Sequence, residues 1–239
     1  MKTILEICRE AADLAATQRP TDLFDSSVQN DQIWLSVAKS TLDSLMRYGD
    51  WQELTKEAWI VTNENQKSYP INAVVDDFYC LLNNTIYIKD GGERVIGAIT
   101  PEQWTREKIF SCPSVGVKFK IQNGVIKFLD QPQCWKIVFQ YRSSNIAWDF
   151  DTFEEKSVIT KNTDVPIFDE YLVKLAILWR WQKRNGLDYT EEYNEYEREL
   201  KKRFGTTMAI GDIDLAGNRL EDKGDIANVI VSKTGQSCC

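Results

Sequence analysis

The sequence predicts an α+β chain in which helix pairs near the two ends form one helical bundle, a β-rich, sandwich-like domain is inserted between them, and an extended C-terminal tail follows. Three observations carry this reading. Apolar residues recur at helical spacing before Tyr48 and again past Pro166, and short runs of β-branched and aromatic residues fill the interval. Beyond Phe204, Gly205, Gly211, Gly217 and Gly224 punctuate an apolar stretch that has no helical period. The segments are 1–56 and 166–204 for the bundle, 57–165 for the insert and 205–239 for the tail. With 239 residues, 43% of them hydrophobic, the chain can bury one sizeable core and a second small one.

The first helix is announced by Thr3-Ile4-Leu5-Glu6, a capping box in which the threonine oxygen and the glutamate carboxylate each satisfy a free backbone N–H. Ile4, Cys8, Ala11, Ala12 and Ala15 form its narrow apolar face. Pro20 forbids a continuous helix, so a second one is expected from about Asp31 to Tyr48. Its stripe is Trp34, Ala38, Leu42 and Leu45, and Gly49 is expected to end it in a left-handed conformation.

Past Trp51 and Leu54 the pattern turns strand-like over Glu57 to Thr62. Ile86 with Ile88, Val117 to Ile121 and Val125 to Phe128 read as further strands, the last two joined by the hairpin turn Gln122-Asn123-Gly124. Cys134 to Tyr141 reads as another strand, with Trp135, Ile137 and Phe139 on one face. A helix start interrupts them at Thr100-Pro101-Glu102-Gln103-Trp104, where threonine caps, proline pre-sets φ and glutamine completes the box.

From Asp169 to Arg184 a helix carries Leu172, Val173, Leu175, Ala176, Ile177, Leu178, Trp179 and Trp181, so it is apolar nearly all round and must be covered on more than one side. Asn185-Gly186 ends it. A charged helix from about Tyr189 to Phe204 follows, with Tyr193, Tyr196, Leu200 and Phe204 on its buried stripe. Lys201, Lys202 and Arg203 read as cations of its last turn, complementing the helix dipole. The tail beyond, with Met208, Ile210, Ile213, Leu215, Leu220, Ile226, Val229, Ile230 and Val231, is too apolar for a solvated linker and is expected to add itself to a partner's groove or sheet edge.

Composition narrows the function. The chain has no histidine, which removes the commonest general base, the usual nucleophilic triads and most transition-metal sites. Asp76-Asp77 and Glu154-Glu155 remain as carboxylate pairs, but neighbours on an extended segment point to opposite faces and make poor dyads. We therefore expect no enzyme, and neither a metal nor a cofactor. Net charge is −7, which gives no drive for stable nucleic-acid binding. No run is long and apolar enough for a membrane span, and the amino terminus lacks a signal-peptide pattern. Cys8, Cys80, Cys112, Cys134, Cys238 and Cys239 show no CxxC spacing and read as reduced thiols. The Cys238-Cys239 ending superficially matches a prenylation signal, but the phosphate loop of the small GTPases that carry it is missing.

Local matches give this order of elements a family resemblance. They are Tyr48-Gly49-Asp50-Trp51 with Leu54, Glu57 and Ala58; Ile99 to Trp104; the Val117 to Phe128 hairpin; and, most specific, Asp164-Val165-Pro166 with Asp169-Glu170, Leu172, Leu175, Leu178-Trp179-Arg180-Trp181, Lys183, Gly186-Leu187, Asp188-Tyr189 and Tyr193 to Leu200. Over roughly Ile33 to Phe204 the chain resembles the head-to-tail adaptor (connector) proteins of tailed bacteriophages, the tail tubular protein A class.

The resemblance implies a structural protein made in the bacterial cytoplasm and residing in the virion, at the junction of head and tail. It implies a homo-oligomeric ring of twelve copies beneath the portal protein, docking a tail, nozzle or neck protein and passing double-stranded DNA through its channel. The helical part, with Leu172, Leu175, Leu178, Trp179 and Trp181, builds the ring wall, and the apolar tail residues reach into crevices of the portal. On this view a neighbouring subunit helps to cover the helix at 169–184. The competing readings are another neck or tail-completion protein of the virion, and a β-sandwich recognition module whose ligand platform is Trp104, Trp135 and Trp148.

Overall fold

The computed structural model describes residues 1–63, 66–82, 84–89, 91–109, 116–129 and 134–207, the last three as backbone only. Its elements in chain order are α1 (Ile4–Leu14), α2 (Gln29–Tyr48), β1 (Thr55–Val61), β2 (Ser68–Pro70), β3 (Phe78–Leu81), β4 (Tyr87–Ile88), α3 (Pro101–Ile109), β5 (Lys118–Gln122), β6 (Val125–Leu129), β7 (Lys136–Ser143), β8 (Ala147–Trp148), β9 (Glu155–Lys156), β10 (Val165–Pro166), α4 (Glu170–Arg184) and α5 (Thr190–Thr207). The fold is α+β, as the sequence predicts.

Both capping boxes form. Glu6 N donates to Thr3 Oγ1 and Thr3 N to Glu6 Oε2 at the start of α1; at α3, Gln103 N donates to Thr100 Oγ1 and Thr100 N to Gln103 Oε1. The first turn of α1 is further held by Ile4 N donating to the Asp164 carbonyl at 2.8 Å, which ties the amino terminus to the segment entering α4. Asn123 and Gly124 turn the β5–β6 hairpin at φ 52 and 70, and Gly186 leaves α4 at φ 71.

Around α4 the helices share one core. α4 packs on α1, α2 and α5, and its Leu172, Val173, Leu175, Ala176, Ile177, Leu178 and Trp181 are buried. Trp181 stacks on Trp34 of α2, ring centroids 5.1 Å apart and nearly parallel. A second core lies between two antiparallel sheets. In one, β7 is central, with β1 along one edge and β3 and β4 in succession along the other; the second has the order β2-β6-β5. Ile60, Ile137 and Phe139 from the first meet Phe119, Ile126 and Phe128 from the second. A small third sheet, β10-β8-β9, joins the helices: Ile146, Ala147 and Ile159 belong to the helical core. Its strands of two residues are too short to show a period in the sequence.

Several expectations change. Gly49 is extended, with φ −175, rather than left-handed. The reason for glycine is proximity: a Cβ there would lie 2.7 Å from Cε1 of Phe204, whose ring packs on Tyr48 and Trp51. α5 continues through Gly205 to Thr207, so the basic triplet is not in its last turn. Instead Lys201 pairs with Glu197 at 2.8 Å, Lys202 with Glu199 at 3.4 Å, and Arg203 with Asp169, the residue that caps α4. The apolar face of α4, which a neighbouring subunit was expected to help cover, is buried by α1, α2 and α5 of the same chain. Trp179 alone of the five wall residues is half-buried, and Tyr189, Tyr193, Tyr196 and the Arg180 guanidinium surround it.

Candidate functional site

The polar groups that sequence adjacency suggested as acid–base pairs are separated by the fold. Asp76 is exposed, whereas Asp77 is buried, and Asp77 meets Glu155 rather than its neighbour. Lys56 Nζ stands between these two carboxylates, 2.6 Å from Asp77 Oδ2 and in contact with Glu155 Oε2. Tyr141 Oη donates to Asp77 Oδ1 and Ser143 Oγ to Oδ2, each at 2.7 Å, and Asn145 Nδ2 donates to Glu155 at 3.1 Å. Burial alone would raise the Asp77 pKa, but the hydrogen bonds from Lys56, Tyr141 and Ser143 outweigh it and hold the carboxyl below its ordinary value. Burial and the bond to Asp77 both push the Tyr141 phenol up.

A second cluster sits on the other side of β9. Lys156 Nζ bridges Asp149 Oδ2 at 2.7 Å and Asp164 Oδ1 at 2.9 Å, and Lys161 adds a contact to Asp149 at 3.0 Å. Hydrogen bonds from Lys156 and Lys161 lower the Asp149 pKa. For Asp164, burial acts upward, and the backbone N–H of Thr160, the Lys156 ammonium and the Lys161 N–H overcome it. Together the clusters stitch β1, the segment before β3, β7 and β9 to the lead-in of α4. In Asp77, Asp149 and Asp164 both oxygens are engaged and the basicity is lowered, which makes each a poor general base, so the arrangement acts as a tie between the two cores.

No platform of tryptophans forms. Trp104 is 8% exposed, with Lys120 over its ring at 4.6 Å; Trp135 packs on the β core, and Trp148 lies in the third sheet. Among the described residues no group of three or more Cys, Asp or Glu is arranged to hold a metal ion, and no helix is long and apolar enough to cross a membrane. A cleft of about 310 Å³ between α2 and the segment after β9 is lined by Met46, Ile146, Val158 and Ile159, with Lys39 and Asp43 at its edge.

The exposed surfaces carry more than the cleft. On the outer face of the first sheet, Trp59 is 52% and Tyr87 44% exposed, and the register places both directly opposite Val138 of β7. Lys136 Nζ lies 3.9 Å from the centroid of the Trp59 ring. The β8–β9 loop presents Phe150 and Phe153, 52% and 73% exposed. Neither surface was singled out from the sequence. The alternation in β1 could have found Trp59 and Val61 as an apolar outer face, but nothing local marks the loop. The expected portal-binding residues Met208, Ile210, Ile213, Leu215, Leu220, Ile226, Val229, Ile230 and Val231 lie outside the described residues, as do Cys112, Cys238 and Cys239.

No family model and no curated protein matches the chain.

Proposed function

We propose that the chain is a structural head-to-tail adaptor of a tailed bacteriophage, a ring subunit beneath the portal that continues the DNA channel and docks the tail. The observation that carries this reading is the interrupted helical body. α1 and α2 on one side of the insert and α4 and α5 on the other share one core, and the chain leaves it after Leu54 and rejoins it from Ile146 onward, by way of the third sheet. Of the residues that carry the sequence resemblance, Tyr48 to Trp51 and Leu54 lie where the chain leaves this core, and Asp164 to Leu200 lead into and run along the returning helices, while Ile99 to Trp104 and Val117 to Phe128 lie in the insert. Absence of histidine from the whole sequence and the engaged state of the buried carboxylates weigh against an enzyme. A net charge of −7 suits a channel subunit past which DNA slides without adhering.

Since α4 is enclosed within one chain, the portal-binding role falls to the segment beyond Thr207. Truncation after Thr207 leaves α5 whole. The truncated protein is expected to keep its melting temperature and to lose binding to the phage's portal in sedimentation. Undiminished portal binding by the truncated protein refutes the role of the tail, and no binding by the full chain refutes the adaptor reading.

A further inference from the structure

We infer that two surfaces of this chain bind each other between copies, head to tail: the outer face of the first sheet on one copy takes the β8–β9 loop of the next. This rests on the ring reading and names the interface that would close it.

The first surface is a row. Trp59, Val138 and Tyr87 stand side by side across β1, β7 and β4, with Val61 two residues further along β1 on the same face. Arg94 lies opposite Tyr87, Lys136 opposite Val61, and Lys89 bonds through its N–H to the Lys136 carbonyl; Lys136 covers the Trp59 ring and Arg94 donates to Asn84, and among the described residues none of the three is ion-paired with a carboxylate. In a chain of net charge −7, an apolar face on which these three cations outnumber Glu57, the carboxylate of β1 that shares the face, is set for an acidic, aromatic partner.

The second surface has that chemistry. The loop exposes Phe150 and Phe153 together with Asp151 and Glu154; among the described residues Glu154 forms no ion pair, and Asp151 pairs with Lys161 at 3.7 Å. The loop is pre-shaped: Asp149 Oδ1 accepts from Asp151 N at 2.9 Å, and Phe153 N donates to the Asp149 carbonyl at 2.9 Å. Asp149 is itself clamped by Lys156 and Lys161. Phe153 has φ 56, a left-handed conformation unfavourable for a bulky side chain, and is 73% exposed. The hydrogen bond from Phe153 N to the Asp149 carbonyl holds that conformation and keeps the ring presented outward, where a partner can bury it.

One copy cannot join its own two surfaces. Lys56, which holds β9 through Glu155, points inward with Ala58 and Ile60, while Trp59 and Val61 point outward by the alternation of β1. The loop therefore lies on the opposite side of the sheet from the row, as a heterologous interface requires.

The test is sedimentation velocity of the full chain over rising concentration, using Trp59→Asp and Phe153→Asp. Both sites are exposed, and unchanged circular dichroism shows that the variants are folded; Tyr87→Ser and Phe150→Ser repeat the test with milder changes. Wild type is expected to self-associate beyond dimers, and each variant alone to be weakened about thirtyfold or more. An equimolar mixture of the two variants retains one intact pair of surfaces and is expected to stop at the heterodimer. Monomeric wild type at every concentration, variants that associate as wild type does, or a mixture that stays monomeric overturns the inference. So does a Trp59→Asp variant that associates normally and fails only to bind portal, which assigns the row to the portal instead. Self-association without portal binding refutes the adaptor reading alone; portal binding without this interface refutes the inference alone.

Discussion

Replacing Asp77 with alanine removes the acceptor on which Lys56, Tyr141 and Ser143 converge, and leaves the Lys56 ammonium beside Glu155 with one carboxylate in place of two. Breaking a buried charged network from one side costs roughly 3–5 kcal/mol, a large part of a stability that is typically 5–15 kcal/mol. For a chain of this size that corresponds to a fall of about 6–20 °C in melting temperature. Tyr141→Phe breaks a single bond to a charged group and costs roughly 1.5–3 kcal/mol, and in the double variant the two losses must fall well short of additive. The assay is thermal unfolding followed by circular dichroism. The pH dependence has a definite sign. The folded-state pKa of Asp77 lies below the ordinary value, so its stabilisation is present above about pH 3.9 and is lost as pH falls through the folded value. The gap in melting temperature between wild type and Asp77→Asn must then narrow in acid. An Asp77→Ala variant within about 1 kcal/mol of wild type, less than one charged hydrogen bond, or a gap that widens on acidification, refutes the role given to this network.

Gly49→Ala drives a Cβ to 2.7 Å from the Phe204 ring and is expected to destabilise by about 1–3 kcal/mol, with Phe204→Leu recovering part of the loss in a denaturant titration. Leu175→Ala opens a cavity in the helical core and is expected to cost roughly 2–5 kcal/mol by the same titration. Thr100→Ala removes one half of the α3 capping box and is expected to cost about 1 kcal/mol. Burial pushes the Cys8 thiol up to about 12, so Cys8→Ala should leave thiol labelling of the native protein unchanged and lower labelling of the unfolded protein by one equivalent.

The features legible in the sequence are those set by neighbours along the chain. Thr3 with Glu6, Thr100 with Gln103 and Asn123-Gly124 each complete their geometry within a few residues, and the structure has all of them. The alternation around Ile137 and Phe139 shows which face of β7 is buried, because the period of a strand is local. What could not be read depends on distant partners. Gly49 looks like a helix stop, and only the Phe204 ring, far along the chain, reveals why a side chain is excluded. Lys56, Asp77 and Glu155 carry no mutual signal across 99 residues, so carboxylates adjacent in sequence stood in for those adjacent in space. The apolar circumference of α4 demands cover but does not say whose, and three helices of the same chain supply it. Gly205 marked the end of α5 too early, since one glycine costs a helix only about 1 kcal/mol and does not stop it.

The adaptor reading is tested most directly by electron microscopy of the full chain mixed with the portal protein of its phage. A closed ring of this subunit seated coaxially under the portal, with the channel running through both, is the predicted image. Bare portals beside unassembled subunits, at concentrations where both proteins are folded and in excess, contradict it.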